Sequence, residues 1–353
     1  MHHVGRRARA LLDEARERAA KVLGCKPSEV IFTSGGTESS NLAILGTARL
    51  LSAKGRHIVT SAIEHHAVLY PCEYLAKKEG FEVTYLPVNR EGLVSPGDLE
   101  KAIRKDTVLV SIMAANNEIG TIQPVAELGS ICQKHGPLFH SDAVQWFGKE
   151  PFVKVDQFNA NLVSVCAHKF HGPKGAGLLF ARSPLRPDPI LFGGAHENER
   201  RAGTENLAAI MGLVAALERF VQPPVFNRSF LKPLTETLSA VLSGLKDVQL
   251  VGSMDHHLAN TVSFVVRGAD SISLLAGLDI EGICASSGSA CSSESLEPSH
   301  VISALGYERN LANALVRFSL GRESTPAEVE YAAKVLPRVI SRAQTTEQHL
   351  GSL

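Results

Sequence analysis

The sequence predicts an α/β protein: a large lobe built on a mainly parallel sheet covered by helices, followed by a smaller α+β lobe. Two observations carry this expectation. Through the first two thirds of the chain, short β-rich runs alternate with segments of helical periodicity, which implies crossover connections between parallel strands. Later, "FVQPPVFN" at 220–227 sets paired prolines after a helical segment, a boundary that divides the chain into lobes at 1–222 and 223–353.

The chain opens on "MHHVGRRARALLDEARERAA", which has no apolar stretch of the kind a secretory signal needs. Asp13, Glu14 and Glu17 among its arginines make it an amphipathic helix rather than a transit peptide. Strands are expected at "EVIFTSG", "HIVTSAIE", "FEVTYLPV", "TVLVSIMAAN", "LFHSDAV", "NLVSVCAH" and "GAGLLFA". Helical patterns cover 38–51, 66–79, 96–104, 124–135 and 206–219. In the second lobe a helix is expected near 229–245, with strands at "VQLVG", "TVSFVVR" and "GICAS". The last helix opens on "TPAE", where Thr325 caps, Pro326 suits the first turn and Glu328 completes a capping box.

Thirty-six basic and thirty-six acidic side chains leave no net charge, so no overall field draws nucleic acid or anionic membrane. No apolar run approaches the roughly eighteen residues of a membrane span. These features point to a cytoplasmic protein whose partners are small molecules or other proteins. The cysteines at 25, 72, 132, 166, 284 and 291 are scattered without metal-ligand spacing, so no metal site is expected and most read as buried free thiols. Cys291 differs. It lies in "SSGSACSSESLEPSH", 286–300, among small polar residues.

Four further segments carry chemistry. In "VCAHKFHGPKG", Lys169 follows a β-run and precedes a glycine-rich turn. Such a lysine is ordinarily a solvated surface charge, but at a strand end lining a site it can form an imine. "TSGGTES", 33–39, lies between a strand and a helix, so Gly36 and Thr37 can cradle an anion. Asp142 in "HSDAVQ" follows an apolar strand, where it either caps a helix or keeps a ring nitrogen protonated. His65 in "IEHHAV" can stack on such a ring or shuttle protons. An aldehyde, a phosphate, a basic ring nitrogen and an aromatic face together describe pyridoxal phosphate (pyridoxal 5'-phosphate).

At this point the sequence resembles the cysteine desulfurases of the class V aminotransferase-like, pyridoxal-phosphate-dependent family, of the type that serves iron–sulfur cluster assembly. The resemblance runs in order through "FTSGGTES", "EHHAV", "NNEIG", "DAVQ", "AHKFHGPKG", "GGAHENERRAGTEN", "SSGSACSSESLEPSH" and "RFSLGR". It implies the fold type I of pyridoxal-phosphate enzymes. By position, it makes Lys169 the lysine that bonds the cofactor and Asp142 the partner of the ring nitrogen. Gly36, Thr37 and His168 would surround the phosphate, Gln145 and Asn117 would contact the ring-oxygen side, and His65 would stack on the ring. Thr204 would reach the phosphate of a neighbouring subunit, which implies a homodimer. Arg317 would hold the carboxylate of L-cysteine.

Cys166 stands where the family commonly has serine or threonine, exchanging a hydroxyl contact for a weaker thiol one. Relative to the family, the chain starts after a segment carrying a "DNNATT"-like motif, so cofactor binding is expected to survive better than turnover. The implied reaction takes sulfur from L-cysteine, yields alanine and leaves a persulfide on Cys291 for a sulfur-acceptor protein such as an iron–sulfur scaffold. Glu294 disfavours the Cys291 thiolate, so its deprotonation is expected to depend on bound substrate or on His65. Selenocysteine lyase, an aminotransferase of the same fold, and a catalytically weak partner of a sulfur scaffold are the rival readings.

Overall fold

A computed structural model of the chain describes residues 2–288 and 298–350, with the side chains of 346–350 excepted. It comprises two compact units. The first consists of Met1–Pro87, Val94–Ala115 and Gln123–Val225; the second consists of Val88–Leu93, Asn116–Ile122 and Phe226–Leu353.

In the first unit, helix α1 (His3–Leu23) precedes β1 (Val30–Thr33), α2 (Gly36–Asn41) and α3 (Thr47–Leu51), with a π-turn at Leu42–Gly46 joining the two helices. There follow β2 (His57–Ser61), α4 (His66–Glu79), β3 (Glu82–Leu86), α5 (Pro96–Ala102), β4 (Thr107–Ser111), α6 (Val125–His135) and β5 (Leu138–Asp142). β6 (Leu162–Cys166), β7 (Gly177–Ala181) and α7 (Leu207–Phe220) complete it.

The seven strands form one sheet in the order β1-β7-β6-β5-β4-β2-β3. All neighbours pair in parallel except β7, which is antiparallel to both β1 and β6. The reason is length. Only a short connection containing one 3-10 turn, Ala167–Phe170, separates β6 from β7, whereas a parallel crossover takes a dozen residues or more. The chain therefore turns straight back, setting Cys166 opposite Gly177. β1, β2, β4, β6 and β7 are buried along their whole length, as strands of a sheet covered on both faces must be. Ile31, Leu42, Ile58, Leu75, Leu109, Leu162 and Leu179 form a core against this sheet.

In the second unit, α8 (Arg228–Ser243), β8 (Val248–Leu250), β9 (Thr261–Val266) and α9 (Ser271–Ile280) precede α10 (His300–Ala304), α11 (Arg309–Ala312), β10 (Leu315–Ser319) and α12 (Pro326–Leu350). Its sheet is antiparallel, β10-β9-β8. Leu231, Leu238, Phe264, Leu274, Val316 and Leu336 belong to its core. The capping box before α12 forms as expected: Thr325 N donates to Glu328 Oε2 at 2.8 Å and Glu328 N to Thr325 Oγ1 at 3.3 Å.

One expected strand does not form. In "GICAS", Gly282 takes a left-handed φ of 74° and Ile283 N donates to Leu278 O at 2.9 Å, so the segment closes the end of α9. Only Ser286 reaches β10, in a single bridge to Arg317. Among the described residues, no helix is long and apolar enough to cross a membrane.

Candidate cofactor and substrate sites

Asp142 ends β5 and is buried, its Oδ1 accepting from Val144 N at 3.0 Å. Ser40 lies against the same carboxyl. Burial pushes the Asp142 pKa up to about 6, although the Val144 amide, the Lys169 charge and Ser40 all favour the carboxylate. Behind it runs a buried polar chain. Ser40 Oγ lies 3.1 Å from Ser164 Oγ, His140 Nε2 lies 2.9 Å from Ser164 Oγ, and His140 Nδ1 lies 2.8 Å from Ser111 Oγ.

Strand geometry assembles this chain. His140 and Asp142 are two residues apart on β5 and so share a face, while the parallel register pairs Asp142 with Ser164 and Ser111 with His140. Burial drops the His140 pKa to about 3, so its ring is neutral and can accept as well as donate.

Lys169 is half-buried in the 3-10 turn that follows β6, near enough for its charge to act on Asp142. Cys166, the last residue of β6, sets its sulfur 3.1 Å from His168 Nδ1, and the Gly36 amide also points at that sulfur. Burial raises the Cys166 pKa, partly opposed by the backbone amides of Gly36 and His168 and by the Lys169 charge. The His168 pKa is lowered, first by partial desolvation although the residue as a whole is exposed, then by the charges of Lys169, Lys174 and Lys149.

Gly36 opens α2 directly after β1. A Cβ there would lie 2.7 Å from Val144 Cγ2, so a larger residue must push aside the Val144 side chain, two positions beyond Asp142. Thr37 is exposed on the next position of α2. Glu38 accepts from Ser34 N at 2.9 Å and pairs with Arg201 at 2.6 Å, which ties the "RAGTEN" loop to this turn and places the exposed Thr204 three residues beyond the tie.

His65 caps α4, its Nδ1 accepting from Ala67 N at 3.0 Å, so a neutral His65 carries its proton on Nε2. The preceding residue, Glu64, is fully buried. Its Oε1 is bonded by Ser61 Oγ at 2.6 Å and Met113 N at 2.9 Å, and burial pushes its pKa up to about 8. Gln145 Oε1 takes a short hydrogen bond from Lys149 Nζ.

The second unit holds Asn117 and Arg317. Arg317 Nη1 donates to the Asn117 backbone oxygen at 2.5 Å. Its Nε is buried without a hydrogen-bond partner among the described residues. Desolvation lowers the Arg317 pKa, with Glu118 opposing. Cys291 lies outside the described residues.

Lys169, Asp142, Gly36, Cys166 and His168 thus converge at the ends of β1, β5 and β6. This set fits pyridoxal phosphate on chemical grounds. A buried carboxyl that is only partly compensated invites a protonated ring nitrogen, and three lysine charges around His168 suit a phosphate dianion. The motif reading missed Glu64, Glu118, Lys149 and the Ser40–Ser164–His140 chain. For the chain, the signal was a polar residue inside an otherwise apolar buried strand, as Ser111 in "VLVSI" and Ser164 in "LVSVC"; Glu64, Glu118 and Lys149 lie outside strands and carry no such signal.

Comparison with known proteins agrees along nearly the whole length. The Aminotransferase class-V family matches residues 1–332. The cysteine desulfurase IscS of Dictyoglomus turgidum is 49% identical over 346 residues, covering 98% of this chain and 87% of that one. A solved NifS-like protein superposes with a TM-score of 0.89 at 37% identity, covering 97% of this chain and 90% of its own. SspA in complex with cysteine does so with a TM-score of 0.79 at 34% identity, covering 92% and 90%. The fold and the motif order thus point the same way: the chain belongs to the class-V aminotransferase family, among its pyridoxal-phosphate-dependent cysteine desulfurases.

Proposed function

We propose that the protein removes sulfur from L-cysteine, releases L-alanine and carries the sulfur as a persulfide on Cys291 to an acceptor protein that builds iron–sulfur clusters or other sulfur-containing cofactors. The observation that carries this is the half-buried Lys169 amine within electrostatic reach of the buried, incompletely compensated Asp142 carboxyl.

When bound, pyridoxal phosphate supplies an aldehyde for the substrate amine and a ring that draws electrons from the substrate α-carbon. Asp142 holds a proton at the ring nitrogen. Gly36, Thr37 and His168 would bind the phosphate, His65 would stack on the ring, and Gln145 and Asn117 would contact its oxygen side. Lys169 Nζ takes the α-proton of cysteine as general base. Arg317 binds the cysteine carboxylate through its incompletely bonded guanidinium. The Cys291 thiolate attacks the substrate sulfur: an S–S bond forms, the C–S bond breaks with its electron pair staying on carbon, and the carbon fragment takes one proton at its β-carbon, regains at its α-carbon the proton held by Lys169 Nζ, and leaves as alanine. The protein acts as a cytoplasmic homodimer in which Thr204 meets the cofactor phosphate of the neighbouring subunit. The free thiols at Cys25, Cys72, Cys132, Cys166 and Cys284 suit a reducing compartment.

The test is sulfide and alanine release from L-cysteine by the holoenzyme, with and without a dithiol reductant, beside Cys291→Ala. The variant should keep its yellow cofactor and release no sulfide. Undiminished turnover in it would remove Cys291 from the reaction, and a chain that takes up no cofactor would remove the whole reading.

A further inference from the structure

The described chain on either side of residues 289–297 reaches a single carboxylate. On the returning side, Ser299 Oγ donates to Glu118 Oε2 at 2.6 Å and itself accepts from Ile302 N at 3.3 Å as the cap of α10. On the outgoing side, Gly288 passes so close that a Cβ there would lie 2.6 Å from that same Oε2.

Glu118 is itself fixed. It is 2% exposed, its amide donates to Asn116 Oδ1 at 2.8 Å, and its carbonyl accepts from Ser263 Oγ at 2.5 Å. Two residues before Gly288, Ser286 exchanges both backbone hydrogen bonds with Arg317, at 2.7 and 3.1 Å. All these groups belong to the second unit.

We propose that Glu118 is a positioning residue for sulfur transfer: it binds the returning stem of the segment that carries Cys291 through Ser299 and packs against the outgoing stem at Gly288. This rests on the desulfurase reading above. By fixing where the described chain leaves at Gly288 and returns at Ser299, Glu118 raises the effective concentration of the Cys291 thiol at the substrate sulfur. Glu118 touches no reacting atom; its effect passes through the stems.

The experiment uses the holoenzyme and follows Cys291 persulfidation by mass spectrometry in a single turnover, together with cofactor absorbance and KM for cysteine. Ser299→Ala should slow persulfidation roughly tenfold, the scale of one hydrogen bond to a buried charge, with cofactor content unchanged and KM within about threefold. Ser299→Thr, which keeps the hydroxyl, should recover most of the rate. Ser299→Asp still caps α10 but sets a second carboxylate against the buried Glu118, so it should be at least as slow as the alanine variant. Wild-type persulfidation rates in Ser299→Ala or Ser299→Asp would overturn the proposal. Should Ser299→Asp not fold, the alanine and threonine pair decides alone. If the wild-type protein itself forms no persulfide on Cys291, the desulfurase reading fails instead.

Discussion

Arg317 Nη1 donates to the backbone oxygen of Asn117 at 2.5 Å, while its Nε is buried with no hydrogen-bond partner among the described residues. A planar guanidinium held by one edge leaves donors for a carboxylate, a task that a lysine ammonium cannot reproduce. Arg317→Lys should therefore raise KM for cysteine roughly 10- to 100-fold, the equivalent of one charge-assisted hydrogen bond, with cofactor absorbance unchanged. Steady-state kinetics with an absorbance spectrum checks both parts.

Burial pushes the Asp142 pKa up to about 6 in the cofactor-free chain. Cofactor binding should weaken as pH falls through about 6, since the protonated acid no longer balances a charged ring nitrogen. Asp142→Asn should remove this dependence and lower turnover by roughly 100-fold or more, the scale of one lost electrostatic stabiliser. Cofactor titrations at pH 5 and 7.5 give the comparison.

Glu64 reverses the usual carboxylate rule for stability. Its folded pKa of about 8 lies above the ordinary 4.5, so the folded chain binds the extra proton between those values. Its contribution is present below pH 4.5 and is lost as pH rises through about 8. Glu64→Gln keeps an acceptor for Ser61 and Met113 without the charge, so at pH 9 it should stabilise the cofactor-free protein by several kcal/mol, with roughly 5 as the ceiling. Urea unfolding of both proteins at pH 5, 7 and 9 should show the two curves separating as pH rises.

Gly36→Ala should destabilise the chain by roughly 1–3 kcal/mol through the collision with Val144, and weaken cofactor binding as the two turns part. Val144→Ala added to it should recover part of both losses. A double-mutant cycle of unfolding free energies measures that coupling. Strictly additive losses would place the damage elsewhere.

The alternation of strands and helices, and the polar residue at each strand end, were legible in the sequence because they are local. "NLVSVCAHK" is a buried strand followed by an amine, and "LFHSD" an apolar strand followed by an acid, whatever else surrounds them. The reversal of β7 was hidden, since "GAGLLFA" reads alike in either direction and only the shortness of its connection decides. "GICAS" has strand composition but closes a helix, because the backbone bonds of Ile283 return to Leu278. The polar chain behind Asp142 required the β5–β6 register, and the meeting of Glu118 with Ser299 spans 181 positions. Contacts at such separations are set by the packing of whole elements, which no window of neighbouring residues encodes. The sequence by itself therefore determined which chemical groups the protein has at its strand ends; the tertiary structure alone decided which carboxyls are stripped of water and which stems they hold.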